Sequence, residues 1–375
     1  MNKDLVVHFG CGALGRGLVI PLLYQSGKQI VAVDTNADIL SEITRENGYD
    51  VMISDTASEA SLQHIKIETA LSSLTQKQEI CRQIKNCKTI TTSVKRENLQ
   101  YLVDLIIKAW GDTSDEGRSI ICCENVEKAG EYFGKLLFEK ADEEEWKHLS
   151  NIRIPNTIVD RICSMDPKDF FIVSESFHEC SVDRHILPDT EIACISSVDN
   201  LEGHFYRKRY LLNSYADAIS FLALQQNKTY LYQAAQDDSI QAEAAGYMQL
   251  LKDLLHELYG FEKKELAVWQ NLYKNRLCNE RIPRNLNTVA RNLWGKLTLE
   301  ERFVKPLVQW HGLHRDCREG LEFVYKLIRA YGDTIGEIVS DAEILERLKI
   351  LWCINEAGNA LYQEMSSLLL QGTQG

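Results

Sequence analysis

The sequence predicts an α/β protein in which a doubly wound parallel sheet is followed by a mainly α-helical domain. Short apolar runs alternate with helical periodicity in the first half, as buried parallel strands and their crossover helices do. From about residue 195 the alternation stops, and nearly every segment has helical periodicity. Because 375 residues exceed one compact core, we expect two domains, residues 1–194 and 195–375.

Four strands are predicted in the first domain from short runs rich in Val, Ile and Thr. The runs are DLVVHF (4–9), QIVAVD (29–34), KTITTSV (88–94) and RSIICCEN (118–125). Pro21 lies in the helical stretch after the first strand, and we expect it to bend that helix because proline donates no backbone hydrogen bond. In the second domain, one of the predicted helices is LTLEERFVKPLVQW (297–310).

Composition excludes several classes of protein. The chain is 45% hydrophobic and 26% charged, which is ordinary for a globular protein. A net charge of −12 argues against a nucleic-acid partner, and no apolar run approaches the roughly 20 residues that span a bilayer. The N-terminus enters a strand at once, which leaves no room for a signal peptide. Eleven scattered cysteines without a CxxC pair fit a reduced, cytoplasmic protein.

No metal site is predicted. His311 and His314 are three residues apart, but no acidic or thiol partner follows at a recognisable spacing.

A glycine motif follows the first strand in HFGCGALGRG (8–17). Gly10 allows a tight turn, Gly12 lets the backbone approach a pyrophosphate, and Gly15 lets the next helix pack close to the strand. Asp34 ends the second strand, 19 residues after Gly15, where it can accept a hydrogen bond from a ribose hydroxyl and repel a 2′-phosphate. The motif predicts a Rossmann-type domain that binds NAD; the alternative is a glycine turn with an unrelated surface aspartate.

A candidate for acid–base chemistry lies in YRKRYLLN (206–213). Oxidation of an alcohol needs a group that takes the hydroxyl proton, and lysine can do so if its pKa falls from about 10.4 towards neutrality. Arg207 and Arg209 flank Lys208, and like-charge repulsion lowers a lysine pKa. Asn213 is five residues further, about 140° around an α-helix. By itself, this pattern is more often a solvated basic helix start.

The chain resembles the mannitol dehydrogenase family of polyol-specific long-chain dehydrogenases and reductases, and within it the mannitol-1-phosphate 5-dehydrogenases. The resemblance covers roughly residues 5 to 312. It is carried by HFGCGALGRG (8–17), TITTSV (89–94), CCENVEKAG (122–130), PNTIVDRI (155–162), ESFHECSVDR (175–184), VDNLEGHFYRKRYLLN (198–213) and LWGKLTLEERFVKPL (293–307).

The resemblance implies a mechanism without zinc. Lys208 would be the general acid–base, while Asn156 and Asn213 would donate amide hydrogen bonds to the substrate oxygen. Asn156 by itself has the pattern of an ordinary turn residue after proline.

The resemblance also implies further binding residues. Glu124 and Asn125 would lie near the nicotinamide ribose, in addition to the glycines and Asp34. Lys296 and Lys305 would contact the substrate or its phosphate, although either could equally be an exposed surface charge.

The chain departs from the family pattern at three places, one of which is LWGKL (293–297), where an arginine common before the Lys-Leu pair is missing although Arg291 is near. The family carries a histidine three residues after the asparagine, and this chain has Ala216 there. The role of that histidine is therefore unfilled, displaced or lost. His204 and His178 are candidate substitutes, though each has the pattern of a surface or packing histidine. Cys180 stands where the family usually has a tryptophan, which implies a reshaped substrate pocket.

We therefore expect an NAD-dependent oxidoreductase that interconverts a sugar-alcohol phosphate, such as mannitol 1-phosphate, with its ketose phosphate. Its partner would be a small-molecule substrate, a polyol or polyol phosphate, and the chain would be a monomer or a small homo-oligomer. Two alternatives stay open. One is a dehydrogenase for another polyol or a sugar acid, and the other is an NAD-binding regulatory or catalytically impaired homologue.

Overall fold

The computed structural model describes residues 4–56, 58–112, 117–166, 168, 170–226, 228–335 and 340–372. The chain divides into two compact units, Met1–Leu201 and Glu202–Gly375. A parallel sheet with helices forms the centre of the first unit, and the second is helical, so the predicted fold class is confirmed. The assignment of cofactor binding to residues 1–194 and of substrate binding and catalysis to 195–375 stays a prediction.

Among the described residues, the strands lie in the first unit and form three sheets. They are β1 Leu5–Phe9, β2 Gln29–Asp34, β3 Gly48–Ile53, β4 Ser61–Lys66, β5 Thr69–Ser72, β6 Thr89–Thr92, β7 Ser119–Cys122, β8 Thr157–Asp160, β9 Cys163–Met165, β10 Ile172–Ser174, β11 Glu179–Asp183 and β12 Ser196–Val198.

The main sheet has the strand order β5–β2–β1–β6–β7, with every pair parallel. β1 lies at the centre, where Val7 pairs with Val31 of β2 and Ile90 of β6. The chain builds outward from β1 in one direction and then crosses over to β6 in the other, so the topological switch lies between β1 and β6. The four predicted strands are confirmed as β1, β2, β6 and β7.

Both faces of the main sheet are covered, as expected for a parallel sheet. Along β1, Leu5, Val7 and Phe9 join one buried apolar cluster, while Val6 joins the other. The first cluster includes Trp110 from a covering helix. Alternate residues of one strand therefore anchor helices on opposite faces.

Two smaller sheets were not predicted from the sequence. Their strand orders are β4–β3–β10–β9 and β12–β11–β8. β9, β10 and β12 have three residues each, too few to show a clear alternation of apolar and polar side chains.

Helices make up most of the remaining structure, and none in the described residues is long and apolar enough to cross a bilayer. The α-helices are α1 Ile20–Gln25, α2 Ala37–Glu46, α3 Lys77–Asn86, α4 Val103–Trp110, α5 Ala129–Lys140, α6 Glu143–Leu149, α7 Leu201–Lys208, α8 Tyr215–Ala223, α9 Leu231–Ala235, α10 Asp238–Tyr259, α11 Lys263–Leu277, α12 Leu286–Val289, α13 Leu293–Lys296, α14 Lys305–Gly312, α15 Arg318–Ile335, α16 Asp341–Trp352 and α17 Glu356–Gly372. Segments of π-helix span Gly15–Val19 and Arg209–Ser214, and 3₁₀-helices span Arg96–Leu102 and Leu224–Gln226.

A π-helical segment, Gly15–Val19, lies immediately before α1, and the bend expected at Pro21 stays a prediction. In a continuous α-helix, residue 21 would donate its N–H to the Gly17 carbonyl, and proline has none to donate. Two side chains from elsewhere in the first unit replace that bond. Arg161 Nη1 donates to Gly17 O at 2.9 Å, and Ser174 Oγ donates to it at 3.1 Å.

The predicted helix 297–310 is wrong over its first half, because residues 298–304 form turns and helix begins only at α14. Side chains from elsewhere in the unit donate to backbone carbonyls of this segment. Tyr247 Oη donates to Phe303 O at 3.0 Å, and Ser214 Oγ donates to Arg302 O at 3.1 Å. In a continuous helix residue 306 would donate to Arg302 O, but Pro306 has no N–H, so the helix begins at α14 and the segment before it stays in turns.

Candidate functional site

The glycine motif forms a tight loop between β1 and the first helix. Gly10 has φ +104°, and its N–H donates to Val33 O at 2.8 Å. A Cβ on Gly10 would lie 2.6 Å from Ser93 O, and one on Gly15 would lie 1.9 Å from Gly10 O. A Cβ on Gly12 would meet nothing within 4 Å. Two glycines are therefore required by packing, while Gly12 faces open space beside the loop.

Asp34 lies directly against this loop at the end of β2. The Cys11 N–H donates to Asp34 Oδ2 at 2.5 Å, and the Asn36 N–H donates to Oδ1 at 2.8 Å. Each carboxylate oxygen keeps lone-pair capacity for a further donor, such as a ribose hydroxyl. The structure thus brings together the glycines and the aspartate that the sequence singled out.

His8 supports the loop from inside the sheet, a role that the sequence did not reveal. The buried imidazole lies 2.8 Å from Gly10 O through Nε2 and 2.8 Å from Thr91 Oγ1 through Nδ1. Burial lowers the pKa of His8 to about 4, so the ring is neutral. Because a carbonyl only accepts, Nε2 carries the proton and Nδ1 accepts from the threonine hydroxyl.

This histidine predicts a loss of stability in acid. As pH falls below about 6.5, the unfolded chain protonates its imidazole while the folded chain does not, so the free energy of unfolding decreases until about pH 4. The contribution is about 3 kcal/mol, at about 1.4 kcal/mol per pKa unit. Urea unfolding between about pH 4 and about pH 7 should show this slope in the wild type and a smaller one in His8→Gln. The exposed His178, changed to glutamine, is the matched control; equal slopes in both variants would refute the assignment.

Arg16, part of the glycine motif, is buried beneath the loop. Its Nε donates to Cys11 O at 2.8 Å, and Nη2 lies 3.0 Å from Met165 Sδ. Burial lowers the pKa of the guanidinium. Arg16 therefore fixes the loop backbone through the Cys11 carbonyl.

Glu124 connects the carboxyl ends of the neighbouring strands β6 and β7. Thr92 Oγ1 donates to Glu124 Oε2 at 2.8 Å, and the Val94 N–H donates to Oε1 at 3.0 Å. The side chain is buried, and burial raises the pKa of its carboxyl. The next residue, Asn125, is exposed at the same edge of the sheet. The predicted proximity of both to the nicotinamide ribose stays a prediction.

Asn156 is held against the first turn of α5. The Glu131 N–H donates to Asn156 Oδ1 at 3.0 Å. A Cβ on Gly130 would lie 2.2 Å from Pro155 O, so the helix end and this turn are in close contact. Since the amide oxygen is bound to the helix end, the amide nitrogen is presented as a donor on the other side.

Lys208 immediately precedes the second π-helical segment, Arg209–Ser214, and Asn213 lies within it. The Lys208 side chain is buried, with only 6% of the residue exposed, and Asn213 is partly buried. In a π-turn, each N–H bonds to the carbonyl five residues earlier, so residues 208 and 213 are one turn apart. The separation of about 140° expected for an α-helix is therefore wrong, and the two side chains lie on nearly the same face.

The two arginines beside Lys208 are directed towards other groups. The buried Arg207 guanidinium stacks 3.7 Å from the centre of the Trp269 ring. Arg209 Nη2 donates to Glu300 O at 2.9 Å and lies 3.2 Å from Glu301 Oε2. The proposed lowering of the lysine pKa by these charges stays a prediction.

Ala216 is buried on α8. The next residue, Asp217, belongs to a network of charged side chains. His204 Nδ1 lies 3.4 Å from Arg207 Nη1, and the exposed His178 belongs to the first unit, with Nδ1 3.3 Å from Ser176 O. That either histidine replaces the missing one stays a prediction.

Asp217 is the centre of that network, and the sequence did not single out its role. Its buried carboxylate lies 3.0 Å from Lys296 Nζ through Oδ1 and 2.9 Å from Arg302 Nη1 through Oδ2. Lys296 Nζ also donates to Val289 O at 2.8 Å. Burial lowers the pKa of Lys296, and the carboxylate opposes that effect. The predicted contact of Lys296 with substrate stays a prediction.

Lys305 begins α14, and the carboxylate that it pairs with is far more exposed than the one that pairs with Lys296. Its Nζ lies 3.1 Å from Glu300 Oε2, a side chain that is 81% exposed, and 5.1 Å from the centre of the Tyr206 ring. An ion pair with a largely exposed carboxylate is weak, because solvent screens it.

All eleven cysteines are thiols. Within the part of the chain that the structure describes, no group of three or more His, Cys, Asp or Glu side chains is arranged to hold a metal ion.

Comparisons with known proteins agree on one family. Residues 4–195 match the model of the mannitol dehydrogenase Rossmann domain. A mannitol-1-phosphate 5-dehydrogenase of Pyricularia oryzae is 28% identical over 353 residues, which cover 92% of this chain and 87% of the relative. A mannitol-1-phosphate 5-dehydrogenase of Lactiplantibacillus plantarum is 25% identical over 346 residues, covering 89% and 86%.

Two solved structures have the same fold. Substrate-free D-sorbitol dehydrogenase superposes with a TM-score of 0.76, and the ternary complex of Pseudomonas fluorescens mannitol 2-dehydrogenase with NAD and D-mannitol superposes with 0.73. Each is 14% identical to this chain, and the match covers 98% of this chain and 92% of the other.

Proposed function

The chain belongs to the mannitol dehydrogenase family, whose Rossmann-domain model matches just over half of it, and from this premise we propose its reaction. We propose that it is an NAD-dependent oxidoreductase that interconverts a sugar-alcohol phosphate, such as mannitol 1-phosphate, with its ketose phosphate. Relatives that carry the name mannitol-1-phosphate 5-dehydrogenase align with most of its length and support the phosphorylated substrate. The eleven thiols support a reducing compartment such as the cytoplasm.

The assignment of NAD as the cofactor rests on the Asp34 carboxylate, which the Cys11 N–H holds against the glycine loop. Gly10, Gly12 and Gly15 shape a loop that a pyrophosphate can approach at Gly12, where a Cβ would meet nothing within 4 Å. A carboxylate at this place accepts from the ribose hydroxyls of NAD and repels the 2′-phosphate of NADP.

Asp34→Asn should therefore weaken the preference for NAD over NADP. The amide can still accept from the Cys11 N–H, but it no longer repels a phosphate. We expect the ratio of kcat/KM values for the two cofactors to fall by about tenfold or more, which corresponds to about 1.4 kcal/mol. The measurement is initial rates with both cofactors at one fixed substrate concentration. An unchanged ratio would place the ribose away from this carboxylate.

The reaction separates a hydride and a proton. NAD, when bound, supplies the hydride acceptor. The uncharged Lys208 amine accepts the substrate hydroxyl proton, and the Asn213 amide, on nearly the same face of the π-turn, donates a hydrogen bond to the oxygen as it gains negative charge. We assign the same donor role to Asn156, because its amide oxygen is bound to the Glu131 N–H.

Two lysines of the second unit were candidates for substrate contact. We propose Lys305 as the contact to the substrate phosphate, since its partner Glu300 is largely exposed and its ammonium is a compact donor for phosphate oxygens. Lys296 is tied to the buried Asp217.

The proposed function is tested by a panel of hexitols, hexitol phosphates and aldonates, each with NAD and with NADP, following formation of the reduced cofactor by absorbance. We expect the highest kcat/KM for a hexitol phosphate with NAD. If only a free polyol or an aldonate reduced the cofactor, the chain would be a dehydrogenase of the family with a different substrate. No turnover together with tight NADH binding would favour the regulatory alternative, which the methyl group of Ala216 in place of the family histidine motivates.

A further inference from the structure

The π-turn Arg209–Ser214 is fastened to the turn segment 298–304 of the same unit. Arg209 Nη2 donates to Glu300 O at 2.9 Å. The Ser214 hydroxyl lies within hydrogen-bond distance of two carbonyls, Arg209 O of the π-turn at 3.0 Å and Arg302 O of the turn segment at 3.1 Å. A π-turn is a rare geometry that is used in single turns, so it needs contacts outside its own backbone to persist. The segment 298–304 supplies such contacts.

Asp217 adds a charged connection just after the π-turn. Its carboxylate pairs with Arg302 of the turn segment through one oxygen and with Lys296 of α13 through the other. A buried carboxylate is costly unless it is paired and hydrogen-bonded, and here each oxygen faces a cation. The pairing therefore fixes α8 against residues 296–302 in one register.

We propose that Asp217 is a positioning residue that, with Ser214, keeps residues 209–214 in π geometry so that Lys208 and Asn213 face the same way. The proposal rests on the function proposed above, in which those two side chains act on one oxygen. If the turn relaxed to an α-helix, Asn213 would lie about 140° around the axis from Lys208. Asp217 does not need to touch the substrate for this role.

The test compares Asp217→Asn with Ser214→Ala. Asp217→Asn removes the buried charge that pairs with two partly buried cations. Ser214→Ala removes only one neutral hydrogen bond, so it should fold even if Asp217→Asn does not. Asp253→Asn is the matched control, since it breaks a partly exposed pair with Lys263 on other helices of the unit.

We expect Asp217→Asn to lower kcat for a hexitol phosphate by roughly 10- to 100-fold and Ser214→Ala by a smaller factor, with an unchanged KM for NAD. Amide hydrogen exchange in peptides that cover residues 206–217 should be faster in both variants and unchanged in Asp253→Asn. If Asp217 only stabilised the fold, Asp217→Asn would lower the free energy of unfolding without lowering kcat at an unchanged KM for NAD.

Wild-type exchange rates and a wild-type kcat in folded Ser214→Ala and Asp217→Asn would overturn the proposal. Hydrogen exchange does not depend on turnover, so it keeps this inference separate from the proposed function. If the wild-type enzyme had no activity on the panel of hexitols, hexitol phosphates and aldonates, the proposed function would be wrong. The exchange rates would still decide whether Asp217 and Ser214 hold the π-turn.

Discussion

Lys208→Met is expected to lower kcat for oxidation of a hexitol phosphate by at least about 100-fold while NADH binding stays at the wild-type level. Methionine keeps most of the length and the apolar stem of lysine but cannot accept a proton, and a positioned acid–base group contributes roughly 10²- to 10⁴-fold to a rate. Lys208 is buried beside the π-turn that carries Asn213, so solvent cannot readily supply the lost function. Initial rates and a fluorescence titration with NADH measure the two effects.

The matched control is Lys264→Met, which removes the same charge from an exposed position on α11. It should keep wild-type rates and wild-type NADH binding. A Lys208→Met variant with wild-type kcat would show that another group takes the proton. Equal losses of kcat in both variants would point to net charge instead of acid–base chemistry.

Gly12→Ala is expected to raise the Kd for NADH by at least about tenfold without changing the stability of the unliganded protein. A Cβ at this position meets nothing within 4 Å, so the substitution should fold without strain. The same methyl group would occupy the space through which a pyrophosphate approaches the loop backbone. A tenfold increase in Kd corresponds to about 1.4 kcal/mol of binding free energy. NADH titration and urea unfolding of both proteins are the measurements.

Gly312→Ala is the matched control, because a Cβ there also meets nothing within 4 Å and the residue ends α14 in the second unit. It should leave the NADH Kd unchanged. If Gly12→Ala also left it unchanged, the open space at Gly12 would not be the pyrophosphate path.

The sequence was informative where local pattern and local structure coincide. The glycine motif and Asp34 belong to consecutive strands that pair side by side, so their spacing alone predicted that they meet. Four of the five strands of the main sheet were predicted because each is a short apolar run that ends at a turn, whereas β5 was not predicted. The predicted fold and the predicted family are confirmed.

Other features could not be predicted because they depend on partners distant in sequence. His8 has the pattern of a strand residue, and its role follows from Thr91, which lies beside it only after the sheet forms. Asp217 has the pattern of one acidic residue in an apolar helix, and its pairing with Lys296 and Arg302 bridges about 80 residues. Local pattern carries no information on such contacts.

The π-turns are a separate case. A single π-turn inserts one extra residue into a helix and leaves the apolar periodicity on either side almost intact, so the expected α-helical angle between Lys208 and Asn213 was wrong. The first π segment has a local signal in Pro21, which cannot donate to Gly17 O. The second has no such signal, since the turn segment that fastens it is almost 90 residues away.

The central claim is hydride transfer from a polyol phosphate to NAD. Its most direct test uses mannitol 1-phosphate carrying deuterium at C5, the carbon named in the relatives' activity, with NAD and the wild-type enzyme. Mass spectrometry of the reduced cofactor should find the deuterium in NADH, and Lys208→Met should form this product far more slowly. Reduced cofactor without deuterium, or none from this substrate in the presence of bound NAD, would contradict the account.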